Sequence, residues 1–180
     1  MSSATKQVLD GPSIERTLTR MAHEILEKNR GVQGLALIGI QTRGVILAQR
    51  IEKAIRSIAG QSTPIGILDI NLYRDDLGLA AEQPVIRKTE INFDLNEKII
   101  VLVDDVLYTG RTIRSALDAL VDFGRPKRIE LAVLIDRGHR QLPIRADFVG
   151  KNIPTSEEEI VHVRLSEPDN AEEVIVEHRG

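Results

Sequence analysis

Apolar runs that alternate with helix-patterned segments constrain the fold of this 180-residue chain more than any other feature. The runs at 35–40, 98–103 and 129–135 are rich in Leu, Ile and Val, which is typical of parallel strands buried on both faces. The segments at 45–59 and 112–123 place their apolar residues at helical spacing. This alternation predicts an α/β fold in which helices cover both faces of a parallel sheet.

The loops at the carboxyl ends of the predicted strands are where such a sheet binds ligands. One loop, at 41–44, follows the strand at 35–40, and another follows Val103. Shorter strand-like runs lie at 65–73 and 160–165. We find no repeat, low-complexity tract or linker, so a single domain over residues 1–180 is expected.

The strongest functional signal comes where the run at 98–103 meets the helix at 112–123. The predicted hydrophobic strand ends in two carboxylates, and a short loop of small and hydroxyl residues then enters the helix. The sequence is Val103-Asp104-Asp105-Val106-Leu107-Tyr108-Thr109-Gly110-Arg111-Thr112. Backbone N–H groups and the dipole at a helix N-terminus make a phosphate site, and a glycine lets the backbone approach closely.

Two adjacent carboxylates beside a phosphate cradle suit hydroxyl groups next to that phosphate, as on a ribose. Thr109 and Thr112 add hydroxyl donors to the cradle. Two other interpretations of the segment remain. It could be a solvated strand-to-helix turn with incidental acids, or an acidic metal site such as that of an aspartate phosphatase.

The segment from Val103 to Thr112 resembles the phosphoribosyl pyrophosphate (PRPP) signature of type I phosphoribosyltransferases. The resemblance implies that Asp104 and Asp105 hold the ribose 2′ and 3′ hydroxyls, and that Tyr108 through Thr112 hold the 5′-phosphate. It also implies the family's fold, a central, mostly parallel sheet flanked by helices, with a small hood and a flexible active-site loop. Mg²⁺ is expected to arrive with PRPP, with no direct protein ligand.

Further segments carry the resemblance along the chain. In the family, a loop at the place of Thr42 and Arg43 binds pyrophosphate through its backbone and a basic side chain. By itself, an Arg at a helix start is usually only solvated. The segment 69–77 resembles the entry to the flexible loop, which makes Arg74 a candidate catalytic residue that closes over the pyrophosphate; the alternative is an exposed loop Arg without a ligand role.

The segments 136–140, 142–147 and 150–155 resemble one branch of the family. Its members regulate pyrimidine operons and also act as uracil phosphoribosyltransferases, which convert uracil and PRPP to UMP and pyrophosphate. By this resemblance Arg137 and Val161 lie at the uracil pocket. Arg137 could equally be a structural residue that pairs with Asp136 or Asp147.

The same resemblance implies an RNA-binding surface for the leader RNA of a pyrimidine operon, controlled by UMP or UTP. Its residues are Thr19, Arg20, His23, His139, Arg140, Arg145 and Lys151. Residues 125–151 hold seven basic and three acidic side chains, so a basic face is possible on a chain of net charge −3. The alternative is a solvated helix face and an ordinary charged loop.

Composition sets the remaining expectations. There is no cysteine and no apolar stretch long enough for a signal peptide or a membrane span, so a cytoplasmic protein without a membrane partner is expected. The family suggests a homodimer or a higher homo-oligomer. Two other functions remain open: a uracil phosphoribosyltransferase with no RNA role, and a catalytically inactive regulator that binds PRPP.

Overall fold

The computed structural model of the protein describes residues 5–70 and 88–179. These residues form eight strands and four helices. In chain order they are β1 (Thr5–Asp10), α1 (Gly11–Asn29), β2 (Leu35–Ile40), α2 (Arg43–Ala59), β3 (Ile65–Leu68), β4 (Ile99–Leu107), α3 (Arg111–Leu120), β5 (Arg128–Asp136), β6 (Phe148–Asn152), β7 (Glu159–Arg164), α4 (Ser166–Asp169) and β8 (Glu173–His178). No helix among them is long and apolar enough to cross a bilayer.

The strands form two sheets. The central sheet has five parallel strands in the order β3-β2-β4-β5-β6. A smaller antiparallel sheet has the order β1-β8-β7. We call this sheet, together with the connection from β7 to β8 that contains α4, the hood. The chain leaves β2 for β3 on one side and then crosses to β4 on the other. This switch in direction opens a crevice at the carboxyl ends of β2 and β4, where such sheets bind ligands.

Helices cover both faces of the central sheet and give it two apolar cores. On one face α1 and α2 bury side chains such as Ile14 and Ile51 against Leu37. On the opposite face α3 buries Ala116 against Leu102. The predicted α/β fold with helices on both faces of a parallel sheet is confirmed.

The end of β4 differs from the prediction. The sequence indicated a strand that stops at Val103, but β4 continues to Leu107 and includes both acids. The reason is backbone pairing with β5, in which Asp104 lies opposite Val133 and Leu107 opposite Asp136. Strand pairing uses backbone N–H and C=O groups and does not depend on side-chain polarity. The two acids, which indicated the end of the strand in the sequence, therefore lie within β4.

The edges of the fold also differ from the sequence prediction. The strand β1 was not predicted, and it pairs with β8 at the far end of the chain, for example Thr5 with Glu177. The run predicted at 65–73 forms a strand only over Ile65–Leu68, and residues 71–73 lie outside the described part. The run predicted at 160–165 forms β7.

Candidate functional site

The loop between β4 and α3 forms a cradle at the N-terminus of that helix. Gly110 is the N-cap of α3 and has φ 94°, a left-handed conformation that glycine adopts without strain. A cavity of about 230 Å³ is lined by eight consecutive residues, Val106 through Ile113. Because the first N–H groups of a helix lack partners within the helix, such a cavity suits an anionic group.

Residues from the connection between β5 and β6 hold the cradle in place. The carbonyl oxygen of Thr109 accepts hydrogen bonds from the N–H groups of Gln141, at 2.9 Å, and Leu142, at 3.2 Å. Arg111 Nε donates to Gln141 Oε1 at 2.9 Å. The phosphate-type loop is therefore packed against a second loop that supports its backbone.

The two acids lie near the end of β4. Asp104 is 7% exposed, and Asp105 is half-buried. Each carboxylate accepts a hydrogen bond from the following backbone N–H, Asp104 from Asp105 at 2.9 Å and Asp105 from Val106 at 2.8 Å. These bonds fix the direction of both side chains, which is what recognition of a pair of hydroxyl groups requires.

Asp105 also borders a second cavity, of about 200 Å³, between the central sheet and the hood. Arg43 from α2, Val161 from β7 and Asp169 from α4 line the same cavity. The structure thus brings together three residues that the sequence predicted for the ribose, pyrophosphate and uracil sites. Asp169 is a further residue at this cavity, and the sequence did not indicate it.

The N-terminus of α2 packs closely against β4 and β2. A Cβ atom on Gly44 would lie 2.4 Å from the carbonyl oxygen of Val103, and one on Gly39 would lie 2.4 Å from the Cα atom of Val45. The Gln41–Thr42 peptide in the loop after β2 is cis. Both glycines are therefore needed for the N-terminus of α2 to lie beside the acids on β4.

Arg43 forms a two-point ion pair with Asp169 of the hood. Its Nε and Nη2 donate to the two carboxylate oxygens at 3.1 and 2.6 Å. These hydrogen bonds, opposed by burial and aided by the charge of Asp105, raise the pKa of Arg43. Burial alone would raise the pKa of Asp169, but the hydrogen bonds from Arg43 and from the Leu165 N–H outweigh it, and the pKa of Asp169 is lowered.

A second arginine, Arg50, ties the hood to both α1 and α2. Its guanidinium pairs with Glu167 at 2.7 Å, with Glu15 at 3.2 Å and with both carboxylate oxygens of Glu172. Hydrogen bonds from Arg50 lower the pKa of Glu172 to about 2. This cluster has no local sequence pattern, because its acids lie 35, 117 and 122 residues from Arg50.

The two uracil candidates border different cavities. Arg137 is 6% exposed and lines a cavity of about 290 Å³ with residues of the loops after β5 and β6. Its Nη2 donates to the Ser156 carbonyl oxygen at 3.0 Å, and its guanidinium lies 4.0 Å from the centre of the Tyr108 ring. Within the described part of the chain, its buried Nε has no hydrogen-bond partner.

Arg137 does not form the ion pair with Asp136 or Asp147 that the sequence left open. Asp136 pairs instead with Arg140 at 2.6 Å, and Asp147 pairs with Lys28 at 2.8 Å. Arg137 thus packs against the ring of the cradle residue Tyr108.

The predicted RNA-binding residues of α1 lie beside β6. Thr19, Arg20 and His23 are exposed, and Arg20 donates hydrogen bonds to the carbonyl oxygens of Val149 and Gly150. The next residue of β6, Lys151, is exposed as well. Arg20 and His23 thus lie on the side of α1 that meets β6, whereas Thr19 borders a cavity with residues of α2. Lys151 lies on the opposite face of β6 from Gly150, which meets Thr17 of α1. We call the exposed residues of these two elements together the α1–β6 face.

The remaining three predicted RNA residues lie between β5 and β6 and have different environments. Arg145 is exposed. His139 is half-buried, and its Nε2 lies 2.6 Å from the Thr155 carbonyl oxygen. Arg140 is also half-buried, with its guanidinium nitrogens bonded to three separate groups of the protein.

Arg74 lies outside the described residues, so its role stays a prediction. Over residues 5–70 and 88–179, no cluster of three or more His, Cys, Asp or Glu side chains is placed to hold a metal ion. A pair of carboxylates next to a phosphate cradle suits Mg²⁺ that keeps most of its ligands from a diphosphate and water.

Comparison with known proteins places this site in a family context. Residues 4–168 match the phosphoribosyl transferase domain family. The bifunctional protein PyrR of Caldicellulosiruptor bescii is 61% identical over 172 residues, which cover 96% of this chain and 94% of that protein. The bifunctional protein PyrR of Deinococcus deserti is 55% identical over 174 residues, which cover 97% of this chain and 95% of that protein.

Solved structures share the fold at low sequence identity. A hypoxanthine phosphoribosyltransferase of Trypanosoma cruzi superimposes with a TM-score of 0.74 at 18% identity, covering 99% of this chain and 93% of that one. The same enzyme type from that organism, in complex with its product IMP, gives a TM-score of 0.72 at 18% identity and covers 97% and 94% of the two chains. These similarities establish the fold.

Proposed function

Because this chain belongs to the phosphoribosyl transferase family, and within it to the bifunctional PyrR proteins, we propose that it transfers the phosphoribosyl group of PRPP to uracil and regulates pyrimidine genes through RNA. The observation that carries the proposal is the cradle at the N-terminus of α3, next to two carboxylates whose directions are fixed. The high identity to PyrR proteins over nearly the whole chain supports the choice of uracil and RNA.

In the proposed reaction a uracil nitrogen attacks C1 of the ribose as the bond to pyrophosphate breaks, giving UMP and pyrophosphate. The protein supplies no nucleophile, so its work is to position the substrates and to stabilise charge. Backbone N–H groups of the cradle bind the 5′-phosphate. Asp104 and Asp105 accept hydrogen bonds from the ribose hydroxyls and favour the positive charge that develops on the sugar.

The second cavity is the proposed place of the bond that breaks, because it lies between Asp105 and the hood. Arg43 borders it and would hold the pyrophosphate through the Nη1 group, since Nε and Nη2 are bonded to Asp169. Val161 borders the same cavity from the hood and offers backbone groups to the edge of uracil. We propose that Arg74 closes over the pyrophosphate and excludes water.

Mg²⁺ bound with PRPP would neutralise negative charge on the leaving pyrophosphate. Asp104 and Asp105 are the described residues that would lie closest to such an ion, through the ribose hydroxyls they hold. Arg137, packed against Tyr108 of the cradle, is proposed to border the base from the other side.

The α1–β6 face is the proposed RNA-binding surface. Exposed Arg20, His23 and Lys151 offer phosphate contacts, and Thr19 offers a hydroxyl group. Only five aromatic residues are available in the whole chain, so stacking on unpaired bases would rest on Arg and His. UMP or UTP in the PRPP site would favour the RNA-binding form, provided that the two forms differ in affinity for the nucleotide.

Isotope transfer tests the enzymatic proposal. Purified protein is incubated with labelled uracil, PRPP and Mg²⁺, and labelled UMP is separated from uracil. We expect label in UMP, and about a hundredfold less of it with Asp104→Asn, because the ribose is then held less accurately. A wild-type protein that binds PRPP but transfers no label would instead be the catalytically inactive regulator.

Filter binding tests the RNA proposal against the second candidate, a uracil phosphoribosyltransferase with no RNA role. The probe is a transcript of the untranslated leader of a pyrimidine biosynthetic operon, and a scrambled transcript of equal length is the control. We expect preference for the leader that UMP increases, and loss of that preference when Arg20 and Lys151 are both changed to Gln. Equal retention of both transcripts would favour the plain enzyme.

We also propose that the protein acts in the cytoplasm, where its substrates and leader RNA are found. A single domain over residues 1–180 is proposed because Arg50 links the hood to α1 and α2. Light scattering of the purified chain would test the proposed homodimer or higher homo-oligomer, and a monomeric mass at assay concentration would contradict it.

A further inference from the structure

Arg140 occupies an unexpected position for a residue predicted to contact RNA. It is half-buried between β5 and β6, and each guanidinium nitrogen is bonded to a different part of the fold. Nη1 donates to the Tyr108 carbonyl oxygen at 2.7 Å, Nη2 to Asp136 at 2.6 Å and Nε to the Ile144 carbonyl oxygen at 2.9 Å. Few of its donors remain for an RNA phosphate.

The Tyr108 carbonyl belongs to the cradle itself. The bond from Arg140 therefore joins the proposed 5′-phosphate site to the connection between β5 and β6. Neighbouring hydrogen bonds join the same two loops. Gln141 and Leu142 donate to the Thr109 carbonyl oxygen, and Arg111 donates to Gln141. These hydrogen bonds join the two loops to each other at several points.

The other two hydrogen bonds of Arg140, to Asp136 and to the Ile144 carbonyl oxygen, connect it to neighbours of two predicted RNA-binding residues. Ile144 is next to Arg145, an exposed residue predicted to contact RNA. Asp136 ends β5 and lies opposite Asn152 of β6, which directly follows Lys151. One guanidinium therefore connects the cradle with the neighbours of both residues.

We propose that Arg140 is a positioning residue that couples nucleotide occupancy of the cradle to the RNA-binding surface, and that it is not itself an RNA contact. This inference rests on the proposed function, because it assigns the regulation of that same site. Three fixed bonds in planar geometry suit this role, since a lysine ammonium cannot reach the same three acceptors at once.

The two roles predict different results for conservative variants. If Arg140 contacts an RNA phosphate, Arg140→Lys keeps the charge and retains most of the RNA affinity. If Arg140 couples the loops, Arg140→Lys and Arg140→Gln both lose the increase in RNA affinity that UMP causes. They also weaken UMP binding about tenfold, because the cradle loses a charged hydrogen bond to its backbone.

The variant Asp136→Asn also distinguishes an RNA-contact role of Arg140 from a coupling role, because the two predict different changes in RNA affinity. The change removes a negative charge near the basic residues, so a contact role for Arg140 predicts RNA affinity that is unchanged or higher. The coupling role predicts that UMP no longer raises RNA affinity, because Nη2 of Arg140 has lost its charged partner. This variant also keeps the proposal testable if the Arg140 variants fail to fold.

The experiment measures RNA affinity by filter binding with and without saturating UMP, and UMP affinity by calorimetry, for the full chain and each variant. Arg125→Gln is the matched control, because Arg125 is exposed and lies beside the amino end of β5, away from the cradle. Thermal unfolding verifies that each variant is folded. By reciprocity, RNA must also raise UMP affinity in the wild type by the same factor.

Loss of the UMP effect in Arg140→Lys and Asp136→Asn, with the control unchanged, is the expected result. An Arg140→Lys protein with the wild-type UMP effect would overturn the proposal. If the wild-type protein does not bind the leader RNA, the proposed regulatory function fails. In that case UMP affinity alone still tests whether Arg140 positions the cradle, and wild-type UMP affinity in both Arg140 variants would refute it.

Discussion

Gly44→Ala perturbs the contact between the N-terminus of α2 and the middle of β4. The added Cβ would lie 2.4 Å from the Val103 carbonyl oxygen and 3.3 Å from the Asp104 Cα atom. The first distance is about 1 Å short of an ordinary contact, and both neighbours are backbone, so no side chain can rotate away. Either the N-terminus of α2 or the middle of β4 must shift by that amount.

Both elements carry site residues, so the shift separates Arg43 from Asp104 and Asp105. Overpacking of this kind costs about 1–3 kcal/mol of folding free energy. Misplacement of reacting groups by about 1 Å can reduce a rate by about a hundredfold. We therefore expect Gly44→Ala to fold with a lower midpoint in urea, and to lose about a hundredfold in kcat/KM for PRPP.

Gly60→Ala is the control with a comparable loss of stability. Gly60 ends α2 at φ 71°, and no atom lies within 4 Å of a Cβ placed there. Its strain costs about 1 kcal/mol and leaves the site unchanged. If Gly44→Ala kept wild-type kcat/KM, or if Gly60→Ala lost as much activity at equal stability, the argument that the contact aligns the site would be wrong.

Three further predictions concern the hood. Arg50→Met leaves three carboxylates without their cation, so the free energy of unfolding should fall by about 1–3 kcal/mol in urea titrations; an unchanged midpoint would show that the cluster contributes nothing. The pKa of Glu172 lies at about 2 in the folded protein instead of 4.5, so its contribution to stability is complete above pH 4.5 and is lost as the pH falls toward 2. Glu172→Gln should therefore flatten the pH dependence of unfolding in that range, and an identical slope in both proteins would contradict this. Asp169→Asn removes the charged partner that orients Arg43, so calorimetry should find pyrophosphate binding weakened several-fold and UMP binding unchanged; tighter pyrophosphate binding would mean that Asp169 competes for Arg43.

The sequence predicted the fold well wherever local pattern determines structure. The run at Leu35–Ile40 is a strand with those same ends, because continuous apolar residues are required in a sheet that is covered on both faces. The cradle was also visible, since Gly110 and the hydroxyl residues around it stand directly before a helix-patterned segment. Local signals of this kind involve residues that are close together in the chain.

Features that depend on distant partners were missed. The strand Thr5–Asp10 exists because β8 pairs with it, and its own polar sequence gives no strand pattern. The extension of β4 through Asp105 depends likewise on β5. Long-range side-chain contacts, such as Arg43 with Asp169, were missed for the same reason.

Arg140 shows why the sequence alone does not identify the partner of a charged side chain. The family resemblance implies that it contacts RNA, and its half-buried position and three hydrogen bonds appear only in the folded chain. A charge in a sequence indicates what a residue can bind. Which partner it has depends on groups brought together by the fold.

A crystal structure of the protein with UMP would test the central assignment most directly. We expect the 5′-phosphate within hydrogen-bond distance of backbone N–H groups at Thr109 through Thr112. We also expect the ribose hydroxyls on the carboxylates of Asp104 and Asp105. A nucleotide bound at another surface, with the cradle at α3 empty at saturating UMP, would contradict the account.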